Sequence, residues 1–218
     1  MSVDLTILPT RSGPLCAKDV IDALSKDCEL ARSISKELPK FDLIDLKRNA
    51  KIDANGILEK TAVYGFEDAR LKSIHFYICE SEESAIKAVF AGLGNTIPPE
   101  SRSSIMKAMT EAGYEIVVLC FASRTHVEAN ILPLVVADIA QCCNGYIYID
   151  EGEFFTSGAG IFTGELFRQT KSRFTGMGPF QMTIDEDANV SILPKPVLRI
   201  PSSRGGTGDE EAAEEKVE

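Results

Sequence analysis

The chain of 218 residues has no tryptophan, only two histidines and no CxxC pair among its six cysteines. Each shortage removes a class of chemistry. His75 and His126, with no matched cysteine spacing around them, leave no zinc knuckle to build, and the missing CxxC removes a thioredoxin-type redox site. Neither a G-x-S-x-G nucleophile elbow nor a Walker A loop is present. No apolar run is long enough to span a bilayer. Met1-Ser2-Val3-Asp4 has none of the basic start of a signal peptide. These features predict a soluble, cytoplasmic protein with reduced thiols. Basic charge is short as well: 23 Lys and Arg stand against 33 Asp and Glu, a net charge of −10. Such a chain repels nucleic-acid phosphates. The basic stretch Arg168, Lys171 and Arg173 is the local exception. No metal, cofactor, nucleic acid or membrane is expected. A basic protein partner suits the charge, although solubility alone accounts for it too.

The chain is organised around Tyr114 to Asp150. Tyr114 to Phe121 is an almost unbroken apolar run, the pattern of a strand buried on both faces. Thr125 and Glu128 have capping-box spacing at a helix start. Val127, Ile131, Val135, Ile139 and Cys143 then recur every fourth residue as an apolar helical stripe. Asn144-Gly145 stops that helix, and Tyr146 to Asp150 is the next strand.

The flanking segments supply the rest. Asp4 to Leu8 reads as a strand, and helical spacing runs from about Ala17 to Leu38 with a break near Asp27. Asn55-Gly56 predicts a type I′ hairpin returning through Ile57 to Tyr64, with a further strand from Leu71 to Cys79. Helices are expected from Ser81 to Leu93 and from Ser101 to Ala112. Phe180 to Ile184 and Val190 to Leu193 flank a polar turn as a late hairpin. Several consecutive strands without strict βα alternation point to an α+β fold, a mostly antiparallel sheet with helices packed on one face. One domain over residues 1–200 is expected. Residues 201–218 are Ser/Gly-rich, then acidic, and are expected to be disordered.

Four groups of residues are candidates for chemistry or binding. Gly158, Gly160 and Gly164 follow a strand and precede a short helix, with Arg168 and Lys171 near enough in sequence for phosphate contacts. The third glycine comes one residue late for a dinucleotide loop, so a plain surface loop explains the same residues. Asp185 to Asn189 offers alternate oxygens but has Val190 and Pro196 where a calcium loop needs Gly and Glu. Asp150, Glu151 and Glu153 cluster after a strand, as an acid–base pair, a partner-facing rim or a solvated turn would. Cys120 and His126 would need spatial approach to act as a nucleophilic pair, and the apolar strand around Cys120 disfavours a thiolate.

The run from Leu132 to Asp150, a helix ending at Asn/Gly followed by an aromatic strand and an acidic residue, resembles a unit of bacterial immunity-type proteins. The resemblance implies a small acidic α+β protein that neutralises a cognate toxin, and it carries no residue roles. The expected function is therefore a non-enzymatic, protein-binding one, an immunity or inhibitor protein meeting its partner through Asp150, Glu151 and Glu153. The alternative is a small-ligand or nucleotide-binding enzyme using the loop from Gly158 to Gly164.

Overall fold

The computed structural model describes residues 3–34, 41–60, 62–92, 97–121, 126–150, 155, 157–170, 180–184 and 190–194. Apolar alternation makes the first strand, β1 (Val3–Leu8). Two helices follow, α1 (Ala17–Lys26) and α2 (Cys28–Ile34), and they part at Asp27. Asp27 Oδ1 accepts from the backbone N–H groups of Glu29 and Leu30 at 2.8 and 3.1 Å, so the break is a helix cap. Then come β2 (Leu43–Asp45), β3 (Ala50–Lys51), β4 (Val63–Phe66) and, after one 3₁₀ turn, β5 (Ile74–Glu80). Helices α3 (Glu83–Gly92) and α4 (Pro99–Ala112) lead to β6 (Tyr114–Cys120). The long helix α5 (His126–Cys142) leads to β7 (Tyr146–Ile149). Strand β8 (Gly160–Thr163) runs directly into the short helix α6 (Gly164–Arg168), and β9 (Phe180–Ile184) pairs with β10 (Val190–Pro194).

The fold is α+β. Eight strands form one sheet in the order β3-β2-β4-β5-β6-β1-β7-β8, and every neighbouring pair is antiparallel. Strand β1 lies between β6 and β7 and opposes both, so β6 and β7 run parallel to each other, joined by α5 as a split βαβ unit. The main core lies on one face of the sheet. Leu5 and Ile7, Phe76, Val118 and Ile147 project into it, and α5 fills it from the other side. Helix α5 contacts α1, α2 and α6 as well as β1, β6 and β7. Helices α3 and α4 pack on each other and form a separate, smaller patch with Leu8, Tyr146 and Tyr148 of the opposite face.

Three local expectations change. Burial alternates along β6, so one face is fully covered and the other half-covered; an apolar run need not be buried on both sides. Asn55-Gly56 does not make a type I′ hairpin. Positive φ falls instead on Asn49, between β2 and β3. Asp53 closes the Gly56 turn with its backbone oxygen and its side chain, at 2.8 Å each. The strand expected from Ile57 begins only at Val63, because the 56–58 segment pairs with Leu15 to Ala17 instead. Last, α5 is not simply striped: every residue from Ile131 to Ala140 is buried, while Val127 of the expected stripe is 37% exposed. Glu128 Oε1 accepts from the backbone N–H of Ser73 at 2.7 Å, a tertiary bond; Thr125, its expected capping partner, lies outside the described residues.

Candidate functional site

A helix buried all round has its polar groups where they must be answered by neighbours. The C-terminus of α5 is answered by the loop after β1. Thr10 and Arg11 donate backbone N–H groups to Cys143 O at 3.3 and 3.1 Å, and Thr10 Oγ1 donates to Asn144 O at 2.7 Å. Asn144 has the positive φ expected of a C-cap. Gly145 then crosses β1 so closely that a Cβ there would stand 2.7 Å from Ile7 Cγ2.

This end of α5, with α4 and the β8–α6 turn, walls a cleft of about 650 Å³. Thr10, Gln141, Asn144, Thr163, Glu165 and Arg168 give it polar groups, and Ala137, Ala140 and Ile105 give it an apolar floor. Thr163 Oγ1 caps α6 by accepting from Leu166 N–H at 3.3 Å. Gly164 lets α6 approach α5: a Cβ would stand 3.1 Å from Ala137 O. That glycine serves helix packing. Of the glycine-loop set, Gly164 and Arg168 line the cleft, and Gly158 and Gly160 do not. Lys171 lies outside the described residues.

Arg168 is not poised for a phosphate. Its guanidinium donates from Nη1 to Asp27 Oδ2 and from Nη2 to Asp138 Oδ1. The cluster ties α6 to the α1–α2 break and to the middle of α5. Asp138 is 2% exposed, and its Oδ2 has no hydrogen-bond partner. Burial pushes its carboxyl up to about 7, against the attraction of Arg168, and the nearby Asp27 raises it further. For Asp27, burial alone would raise the pKa. The hydrogen bond from Arg168 and those from Leu30 and Glu29 outweigh it and hold this carboxyl below its ordinary value. Of the two carboxyls, Asp138 is therefore the one that takes up a proton first as pH falls. Neither Asp138 nor Asp27 was singled out by sequence reasoning, because they stand 30 and 141 residues from Arg168.

A pH dependence follows. The folded chain binds the Asp138 proton more tightly than the unfolded chain, since the carboxyl moves from 3.8 to about 7. This contribution to stability is complete below the unfolded value and is lost as pH rises through 7. Asp138→Asn keeps the shape and removes the titration. Urea denaturation from pH 4 to 8 should show the variant gaining on the native chain as pH rises, by on the order of 4 kcal/mol over the whole window. Parallel curves would show that Asp138 does not titrate there. The groups facing Asp138 are Asp27 and Arg168, and its backbone oxygen accepts from Cys142 Sγ at 3.2 Å.

The remaining candidates are placed as follows. Asp150 is exposed and accepts from Tyr148 Oη at 3.1 Å; Glu151, Glu153 and the Asp185 to Asn189 turn lie outside the described residues. Cys120 is fully buried in β6. The His126 side chain is also outside the described set. His75 packs its ring edge-on to Phe121 at 4.9 Å, with Nε2 2.8 Å from Lys72 O, and burial lowers its pKa. The thiols of Cys79, Cys142 and Cys143 are each pushed up to about 12, chiefly by burial, which disfavours nucleophilic use. Among the described residues no group of three His, Cys, Asp or Glu could hold a metal ion, and no helix is long and apolar enough to cross a membrane.

Comparison with protein-family models, curated proteins and solved structures found no match for the chain.

The second face of the sheet carries one more arrangement. Val63, Tyr77, Val117, Thr6 and Tyr148 are directly paired across five strands, so they form one cross-strand row. All are half-buried. Asp4 and Glu115 lie on the same face, and Asp150 stands at the end of β7 beside Tyr148.

Proposed function

We propose that this protein is a non-enzymatic binding protein, of the bacterial immunity type, that neutralises a basic toxin in the cytoplasm. The observation that carries the reading is the half-buried row of Val63, Tyr77, Val117, Thr6 and Tyr148 on the second sheet face, flanked by acids, whose Tyr148 end packs against α3 and α4. Tyrosines bury large area at little entropic cost and are enriched at interfaces. Asp4, Glu115 and Asp150 beside them favour a basic surface. Lys51, Lys60, Lys87, Arg48, Arg70 and Arg168 are each paired with carboxylates of the chain itself. Glu151 and Glu153 extend the acidic run beyond Asp150.

The test is affinity capture from the native host, followed by stopped-flow binding at two salt concentrations. Asp4→Lys with Asp150→Lys is expected to slow association about tenfold at low salt and to flatten its salt dependence, with folding unchanged. Association at the native rate at low salt would remove this face as the contact surface. Failure to capture any protein would remove the immunity reading.

A second reading is favoured by the cleft. Its polar rim and apolar floor suit a small ligand, and two members of the glycine-loop set line it. Native mass spectrometry of the purified chain separates the readings: a retained nucleotide or metabolite supports this one.

A further inference from the structure

Arg168 is the last residue of α6, and its two bonds fix that short helix to the α1–α2 break and to the middle of α5. The joint is not fully satisfied. Asp27 and Asp138 lie within hydrogen-bonding reach of each other, and two carboxylates have no hydrogen to share. Asp138 Oδ2 is sealed from solvent and takes no donor from the protein. With both aspartates ionised, the cluster is two negative charges on one positive, where water does not reach. A proton on Asp138 cancels the excess and supplies a donor toward Asp27.

We infer that the proton on Asp138 latches α6: while it is bound α6 stays closed on α5, and its loss releases the turn that carries Arg168, one wall of the cleft. The weakest element decides what moves. Helix α5 is buried on every side over this stretch, and the α1–α2 break is capped by Asp27 itself. Helix α6 has five residues, too few to hold their conformation away from the fold. Phe167, packed on Phe155 and Phe162, keeps the released segment attached. Thr163, Gly164, Glu165 and Arg168 line the cleft, so the same motion changes its shape. The groups facing Asp138 are Asp27, with Lys26 and Glu29, from the α1–α2 break, Arg168 from α6, and Cys142 from its own helix, whose thiol donates to Asp138 O and Asp19 O. Asp27 is held below its ordinary value and Arg168 above its own, while burial pushes Cys142 up to about 12. Asp138, pushed up to about 7 by burial, is the one of these four that changes charge near neutrality. The closed state binds its proton more tightly than a hydrated, open one, so closure is favoured at low pH and lost as pH rises through 7.

The experiment is amide hydrogen exchange on the full chain at pH 6 and pH 8, with and without dilute urea, corrected for intrinsic rates. The reporters are the N–H groups of Leu166, Gln169 and Thr170, bonded to Thr163 Oγ1, Leu166 O and Phe167 O, with β6 as the reference for global unfolding. The opening of α6 should rise about tenfold from pH 6 to pH 8, given a carboxyl at about 7 when closed and near 3.8 when open. Dilute urea should leave this opening unchanged, because little surface is exposed, while exchange in β6 should quicken. Asp138→Asn should remove the pH dependence of α6. In the native chain the carbon resonance of the Asp138 carboxyl should titrate with the same midpoint as the opening, which decides the matter even where the variant does not fold. Equal protection of α6 at both pH values, a fall of the same size in Asp138→Asn, or separate midpoints for carboxyl and opening would overturn the latch. A urea dependence of α6 matching that of β6 would overturn it too, and would leave the proton as a contribution to global stability alone.

Discussion

Arg168→Ala should be among the most destabilising single substitutions in the chain. It removes the cation from between Asp27 and Asp138, whose side chains are 6% and 2% exposed. Two carboxylates then face each other with little water to separate them. Breaking a buried ion pair by deleting one partner costs about 3–5 kcal/mol, because the remaining charge stays buried and unanswered. At this chain length that corresponds to a fall in Tm of roughly 10 °C. The tether is lost as well. Arg168 follows Phe167, which packs on Phe155 and Phe162 at 5.3 and 6.2 Å, so α6 is positioned from two sides. The double variant Arg168→Ala with Asp138→Asn should recover much of the loss, since Asp27 still has its two N–H partners in α2. Lowering pH should also partly rescue the single variant, because protonation relieves the repulsion. Urea denaturation of the four chains in a double-mutant cycle measures the coupling. A loss under about 1 kcal/mol in Arg168→Ala would mean that the cluster is solvated and carries no structural energy.

Ile139→Asp should unfold the chain outright. Ile139 is fully buried in the segment of α5 that is covered on every side. An aspartate there would be buried in the apolar core, one residue from Asp138. Burying an unpaired charge costs more than most domains can lose, given total stabilities of about 5–15 kcal/mol. The control is Val127→Asp on the same helix. Val127 is 37% exposed, so its variant should stay within about 0.5 kcal/mol of the native chain. Circular dichroism melts of both variants decide the matter. Equal melting temperatures for Ile139→Asp and the native chain would show that this part of α5 is not enclosed.

The contrast between Val127 and Ile139 marks how far a sequence reading reaches. Both belong to one four-residue stripe, and periodicity cannot tell which end of the stripe is covered. Coverage depends on α1, α2 and α6, which arrive from distant parts of the chain. In β6, Val117 and Leu119 read as core residues because they are apolar, yet their face of the sheet is only half-covered. The glycine-rich stretch was legible as a bend and a short helix, but the residues between them, expected to be loop, form strand β8 paired with β7. What its glycines serve was not: Gly164 matters because Ala137 O lies against it.

The sequence by itself determined the elements and many of their ends. Alternation made β1 and β5, apolar helical spacing made α1 and α5, and Asn144 and Gly113 ended their helices because each tolerates the left-handed conformation. It also determined the antiparallel α+β class, since consecutive strands with short links pair that way. Only the tertiary structure decided that β1 inserts between β6 and β7, and that Arg168 meets Asp27 and Asp138. The physical reason is range. Backbone propensity and periodicity act over a few residues, whereas strand order and buried charge pairing are set by which surfaces exclude water together, across more than a hundred residues of chain.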